Sequence, residues 1–228
     1  MKRIYLHPLP VRIWHWVNAI TVILLLLTGF QFRVPGIASL SPHNFSLALH
    51  KWAGITMTAL WTFWLTYGLA SGTLRRHYAI RRRDLRGIAG QMKFYLMSIF
   101  RGEKNPFQPT PEEKFNPLQK LAYVFMMGII TPVMILTGLL FVKVFFIRDY
   151  LLFVNAIKVI DAIHVTGLYV FAIFLVIHVY MATLGATAFS HIKTMIVGYE
   201  EEADDPAGGG REAAAETEMT VEKESEKL

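Results

Sequence analysis

The 228-residue chain holds four apolar stretches, each long enough to cross a bilayer: residues 11–32, 45–70, 117–142 and 156–189. A hydrocarbon core of about 30 Å takes about 20 helical residues. In lipid every backbone amide must be satisfied within the segment, so such stretches fold as helices. The expected fold is all-α, an integral membrane four-helix bundle. The first stretch is too long for a signal peptide, lacks a small-residue cleavage site and carries Trp14, His15 and Trp16, so it reads as a span.

Charge sets the orientation. Lys2, Arg3 and Arg12 precede or open the first stretch. Ten bases crowd residues 71–116, among them Arg81, Arg82 and Arg83, whereas residues 34–44 hold no Lys or Arg. The third connection carries Lys143 and Arg148, with Lys158 at its edge. Basic loops stay on the cytoplasmic side, so both termini and the long connection are expected there. Bases at the ends of apolar runs answer to membrane lipid and argue against a nucleic-acid partner. Within the long connection Leu85, Ile88, Met92, Tyr95, Leu96 and Ile99 recur near helical spacing, with Arg86 and Lys93 between them. This predicts an amphipathic interfacial helix between spans two and three, over about 84–100. Asn116-Pro117 then supplies a cap and an early proline for span three.

The domain reading is a four-span unit over 1–199 and a tail over 200–228. The tail holds eleven of the seventeen acids and is −8, leaving the rest +14. Its acids and its Pro206–Gly210 linker predict a disordered cytoplasmic extension.

With no cysteine, the chain has no disulfide, iron–sulfur cluster, thiolate zinc site or covalently attached haem. Cofactor chemistry falls to histidine. Four of the eight histidines lie in the spans: His15, His50, His164 and His178. Ionisable or metal-binding groups inside a span are costly and point to function. His164 and His178 are fourteen residues apart, about 21 Å along a helix and nearly four whole turns. They share one face at two depths. Depth pairs His15 with His178 toward the inside and His50 with His164 toward the outside.

A single such histidine more often packs against a neighbour or lines a proton path. A proton pump would want buried acids, but only Asp161 lies in a span. Zinc would need ligands converging at one depth. Two bis-histidine pairs stacked across a bilayer suit two b-type haems, with iron held by each pair. Flat porphyrins need small neighbours, and Gly29, Gly54, Gly138 and Gly167 gather by spacing around the outer pair. Leu27-Thr28-Gly29 recurs as Leu136-Thr137-Gly138. Arg12, Arg33, Lys51 and Lys120 stand near span ends as candidate propionate contacts.

The run His7-Pro8-Leu9-Pro10-Val11-Arg12-Ile13-Trp14-His15-Trp16-Val17-Asn18, followed by Leu27-Thr28-Gly29, carries a family resemblance. It resembles the cytochrome b subunits of membrane-bound nickel–iron hydrogenases. It is also similar to the gamma subunits of respiratory formate dehydrogenases and to thiosulfate-reductase cytochrome b. The resemblance spans about residues 7–195. It implies a multi-pass di-haem protein of the cytoplasmic membrane. Such a protein anchors an iron–sulfur subunit and a catalytic subunit on the outer face and exchanges electrons with the quinone pool, menaquinone or ubiquinone. It further implies a quinone beside the inner haem, near Asn116, Gln119 and Lys120, where Asn116 is equally readable as a helix cap and Lys120 as a snorkelling base. The chain is then the redox subunit of an oxidoreductase complex, not a complete enzyme. The rivals are a free-standing di-haem cytochrome b that oxidises quinol and a cofactor-free membrane anchor.

Overall fold

A computed structural model describes residues 3–34, 36, 41–103, 105–107, 115–147, 154–184 and 189–201. The tail from Glu202 onward, Arg148, Lys104 and Lys114 lie outside the described residues. The chain divides into two compact units, Pro8–Met181 and the flanks Met1–His7 with Ala182–Leu228.

The larger unit is helical. Helix α1 spans Leu9–Arg33 and α2 spans His43–Ala70. Helix α3 (Arg82–Leu96) follows a π turn at Leu74–Tyr78. The third long element comprises α4 (Pro117–Phe125), a π segment (Met126–Ile130) and α5 (Thr131–Ile147). The last is α6, Val154–Ala182. It ends at Ala182, so the fourth span is shorter than the apolar run to residue 189. The smaller unit carries α7 (Ser190–Val197) and a ribbon in which β1 (Arg3–Tyr5) pairs antiparallel with β2 (Tyr199–Glu201). The first two acids expected in the tail, Glu200 and Glu201, therefore pair opposite Ile4 and Arg3.

Among the described residues, three helices are long and apolar enough to cross a membrane: Leu9–Arg33, Pro117–Val142 and Ala156–Ala182. Helix α2 is 28 residues long but is diluted by Thr, Trp and Tyr. Its threonines hide their polarity within the helix: Thr58 donates to Gly54 O, Thr62 to Thr58 O and Thr66 to Thr62 O, at 2.8–2.9 Å.

Sequence explains the starts. Pro10 sits in the first turn of α1, where its missing N–H leaves no bond unmade. Asn116 caps α4 through a reciprocal box. Its Oδ1 accepts from the Gln119 amide at 2.8 Å, and Gln119 Oε1 accepts from the Asn116 amide at 3.1 Å.

The packing is inside-out relative to a soluble domain. Thr21, Thr28, Ser46, Thr131 and Thr137 are buried, while Ile20, Ile23, Leu136, Ile173 and Val176 are exposed. In lipid apolar side chains need no shelter, and small hydroxylated residues let helices approach. At the α1–α2 junction Ser46 donates to Gln31 Oε1 and Gln31 Nε2 to Ser41 O, both at 2.7 Å. Two indoles tie α2 to its neighbours. Trp14 of α1 donates to Leu60 O at 2.8 Å, and Trp61 of α2 donates to Met127 O at 2.8 Å. The second bond falls in the π segment, where an extra residue disturbs the regular helical ladder.

Helix α3 seats one edge on α4. Lys120 Nζ lies 3.0 Å from Asp84 Oδ1 with both side chains buried, and Asn116 Nδ2 donates to the Tyr95 hydroxyl at 3.0 Å. A Cβ at Gly87 would stand 2.9 Å from the Pro117 ring, so only glycine permits this approach. Leu85, Met92, Leu96 and Phe100 are left exposed.

Candidate functional site

The four histidines expected in the spans meet as two pairs. The ring centres of His15 on α1 and His178 on α6 are 6.1 Å apart, inclined at 47°. Those of His50 on α2 and His164 on α6 are 6.3 Å apart, inclined at 67°. Antiparallel α1 and α2 bring one histidine to each end of the bundle, and the four-turn spacing on α6 supplies the partner at each level.

These distances fit a shared iron. Two metal–imidazole bonds of about 2 Å, with about 1.1 Å from nitrogen to ring centre on each side, separate the centres by about 6.2 Å. Two stacked or hydrogen-bonded rings would stand closer or be joined through nitrogen. The inner pair also leaves buried polar atoms facing no protein group: His15 Nδ1 and Asn18 Oδ1, one turn apart, have no hydrogen-bond partner among the described residues. Orphaned buried polar atoms are rare in native proteins and call for an explanation. A site shaped around a bound group supplies one. Two facing imidazoles at each level are a donor set suited to haem iron.

The surroundings of the two pairs differ. At the outer pair Thr28 Oγ1 is 2.7 Å from His50 Nδ1, and Thr137 Oγ1 is 2.8 Å from His164 Nδ1. Phe32 and Phe141 edge onto His50 and His164 at 5.5 and 5.6 Å. At the inner pair Phe174 stacks on His178 at 5.6 Å, with an 18° tilt, and Tyr123 stands 6.2 Å from it. From Tyr123 an aromatic line continues through Phe115 and Tyr78 to Trp64.

The predicted glycines divide. A Cβ on Gly29 would stand 3.7 Å from His50 Cε1 and 3.1 Å from Leu168, and one on Gly138 would stand 3.6 Å from His164 Cε1. Both lie against the outer pair. Gly54 opens onto empty space, and Gly167 faces the side chain of Met134 on α5. Spacing gives depth along a helix but not the neighbour that a glycine meets.

The predicted charged and polar residues are placed as follows. Arg12 is half-buried one turn before His15, and Lys51 is exposed. Arg33 lies 4.0 Å from the exposed Asp161. Lys120, Asn116 and Gln119 are engaged in structure: Lys120 in the buried ion pair with Asp84, Asn116 and Gln119 in the α4 cap, and Asn116 also with Tyr95. Burial alone pushes the Asp84 carboxyl up, but the Arg81 amide at 2.7 Å and the Lys120 ammonium outweigh it and hold it below the usual carboxylate range. Burial pushes the Tyr95 phenol up.

Sequence reading did not single out Asp84, Trp61 or the hydroxyls of Thr28 and Thr137. The repeated Leu-Thr-Gly triplet was the available signal for the last two.

Comparison with known proteins gives the family. The prokaryotic cytochrome b561 family matches over residues 6–198. The chain is 34% identical over 201 residues to "Putative cytochrome YdhU" of Escherichia coli, covering 87% of this chain and 75% of the relative. It is 25% identical over 151 residues to "Probable Ni/Fe-hydrogenase B-type cytochrome subunit" of Cupriavidus necator, covering 60% of this chain and 58% of the relative. That family comprises electron-transferring membrane proteins that bind b-type haem. With two histidine pairs at iron-sharing distance and a family match across both, this membrane protein belongs to the prokaryotic cytochrome b561 family.

Proposed function

We propose that the chain is a di-haem electron wire linking a partner on the outer face of the cytoplasmic membrane to quinone. The observation that carries the reading is the two-level pairing of histidines at 6.1 and 6.3 Å. Two b-type haems held there supply one-electron carriers about 20 Å apart along α6. His15 and His178 hold the inner one, and His50 and His164 the outer one.

The membrane arrangement completes this reading. Helix α2 crosses as the fourth span, its hydroxyls satisfied by its own carbonyls. Both termini lie on the cytoplasmic side, following the bases of residues 71–116. Helix α3 lies at the inner interface with Leu85, Met92 and Leu96 toward lipid. Arg12 and Lys51 lie one helical turn and one residue from His15 and His50, within reach of propionates.

Quinone exchanges electrons at the inner end, beside His178 and the aromatic rings of Tyr123 and Phe115. Flat rings suit a quinone head. Asn116, Gln119 and Lys120 shape this end of the site through the α4 cap and the ion pair with Asp84. The relative named as a hydrogenase cytochrome subunit supports a partner of that kind, an iron–sulfur subunit with a catalytic subunit, on the outer face.

Addition of a reduced quinone analogue to the purified, air-oxidised protein tests the reading. The expected result is reduction of bound b-type haem, seen as the sharpened α band. Bound haem that dithionite reduces and quinol does not would contradict the quinone link.

A further inference from the structure

We propose that Thr28 and Thr137 are positioning residues. They fix the outer histidine rings with Nδ1 protonated and Nε2 free for iron, and they make the outer pair the lower-potential one. The proposal rests on the bis-histidine reading above and deepens it.

Thr28 Oγ1 lies 2.7 Å from Leu24 O and 2.7 Å from His50 Nδ1. Thr137 Oγ1 lies 2.8 Å from Val133 O and 2.8 Å from His164 Nδ1. A hydroxyl has one proton, and a carbonyl only accepts. The threonine proton goes to the carbonyl, so the ring nitrogen must donate. A neutral imidazole that carries its proton on Nδ1 keeps its lone pair on Nε2, the nitrogen left to bind metal. Both threonines are buried, so water does not compete for these bonds.

The device is built twice. The triplet Leu27-Thr28-Gly29 on α1 holds the histidine of α2, and Leu136-Thr137-Gly138 on α5 holds that of α6. In each, threonine takes the ring nitrogen and the following glycine admits the ring edge. The inner pair lacks this on at least one side, since His15 Nδ1 has no hydrogen-bond partner among the described residues.

Donating Nδ1–H to an acceptor enriches the ring in electron density and makes Nε2 a stronger ligand. A stronger donor favours ferric over ferrous iron, which lowers the potential. Electrons then run from the outer to the inner site without outside bias, toward the quinone end.

The test compares Thr28→Val and Thr137→Val with Thr28→Ser and Thr137→Ser. Valine keeps the shape and removes the acceptor, whereas serine keeps the acceptor. Haem per chain and the midpoint potential of each haem are measured by redox titration, with the outer haem identified as the one lost in His164→Ala. The expected result is that the outer haem has the lower midpoint. Each valine variant raises it and leaves the inner midpoint in place, and each serine variant restores it. Loss of the outer haem in the valine variants but not the serine variants also supports the proposal. Three results overturn it: valine variants with both haems and unshifted midpoints, serine behaving as valine, or an outer haem with the higher midpoint in the unsubstituted chain. An unsubstituted chain without haem would overturn the parent reading instead, and is told apart because it needs no variant.

Discussion

Lys120 Nζ lies 3.0 Å from Asp84 Oδ1, a buried ion pair that joins α3 to the first turns of the third long helix. The two residues are 36 apart in sequence. The carboxylate also accepts the Arg81 amide through its other oxygen, so both oxygens are used. Removing one partner of a buried pair strands the other charge.

Asp84→Asn is therefore expected to destabilise the folded protein by about 3–5 kcal/mol. Replacing both partners with apolar residues, Asp84→Leu with Lys120→Met, should recover most of that loss. Thermal unfolding in detergent measures both. Equal destabilisation in the double variant would mean that packing, not stranded charge, sets the cost.

The same pair fixes a pH dependence. The Asp84 carboxyl titrates below its ordinary value in the folded protein. Its contribution is complete above the unfolded value of about 4 and is lost as pH falls through the lower folded value. Between those two values, unfolding temperature should fall more steeply for the parent chain than for Asp84→Asn. Parallel slopes would show that Asp84 is not held low.

Gly138 admits the edge of His164. A Cβ there would meet Cε1 at 3.6 Å, ordinary contact, so Gly138→Ala should keep both haems. Gly138→Leu, whose branch extends into the ring, should keep the inner haem and lose the outer one. Haem content per chain decides it, and two haems in the leucine variant would place the porphyrin elsewhere.

Trp61 donates to Met127 O within the π segment. Trp61→Phe leaves that carbonyl unsatisfied and should cost about 1–3 kcal/mol. Amide exchange should quicken at Met126–Thr131 before it does in α6. Unchanged exchange there would show that the π segment holds itself.

Much of the site was legible in the sequence because it depends on helical period. The fourteen-residue spacing of His164 and His178 fixes two levels on α6, and the short first connection makes α1 and α2 antiparallel. Asn116 was legible as a cap from the proline beside it. The side-on relations were not. Gly167 faces Met134 on α5, a neighbour that spacing on α6 does not name. Lys120 read as a base near a span end because its partner Asp84 is embedded among arginines that suggest only an inner-leaflet surface. In helix α2 a hydropathy scale charges for Thr58, Thr62 and Thr66, although their hydroxyls donate to carbonyls of the same helix. The β1–β2 ribbon arises from pairing that apolar runs do not encode.

The central claim is that four histidines hold two haems at two levels. A pyridine haemochrome assay on purified, quantified protein made with adequate haem tests it most directly. The account predicts two b-type haems per chain in the unsubstituted protein, falling to one in His164→Ala. No haem, or an unchanged count in His164→Ala, would contradict it.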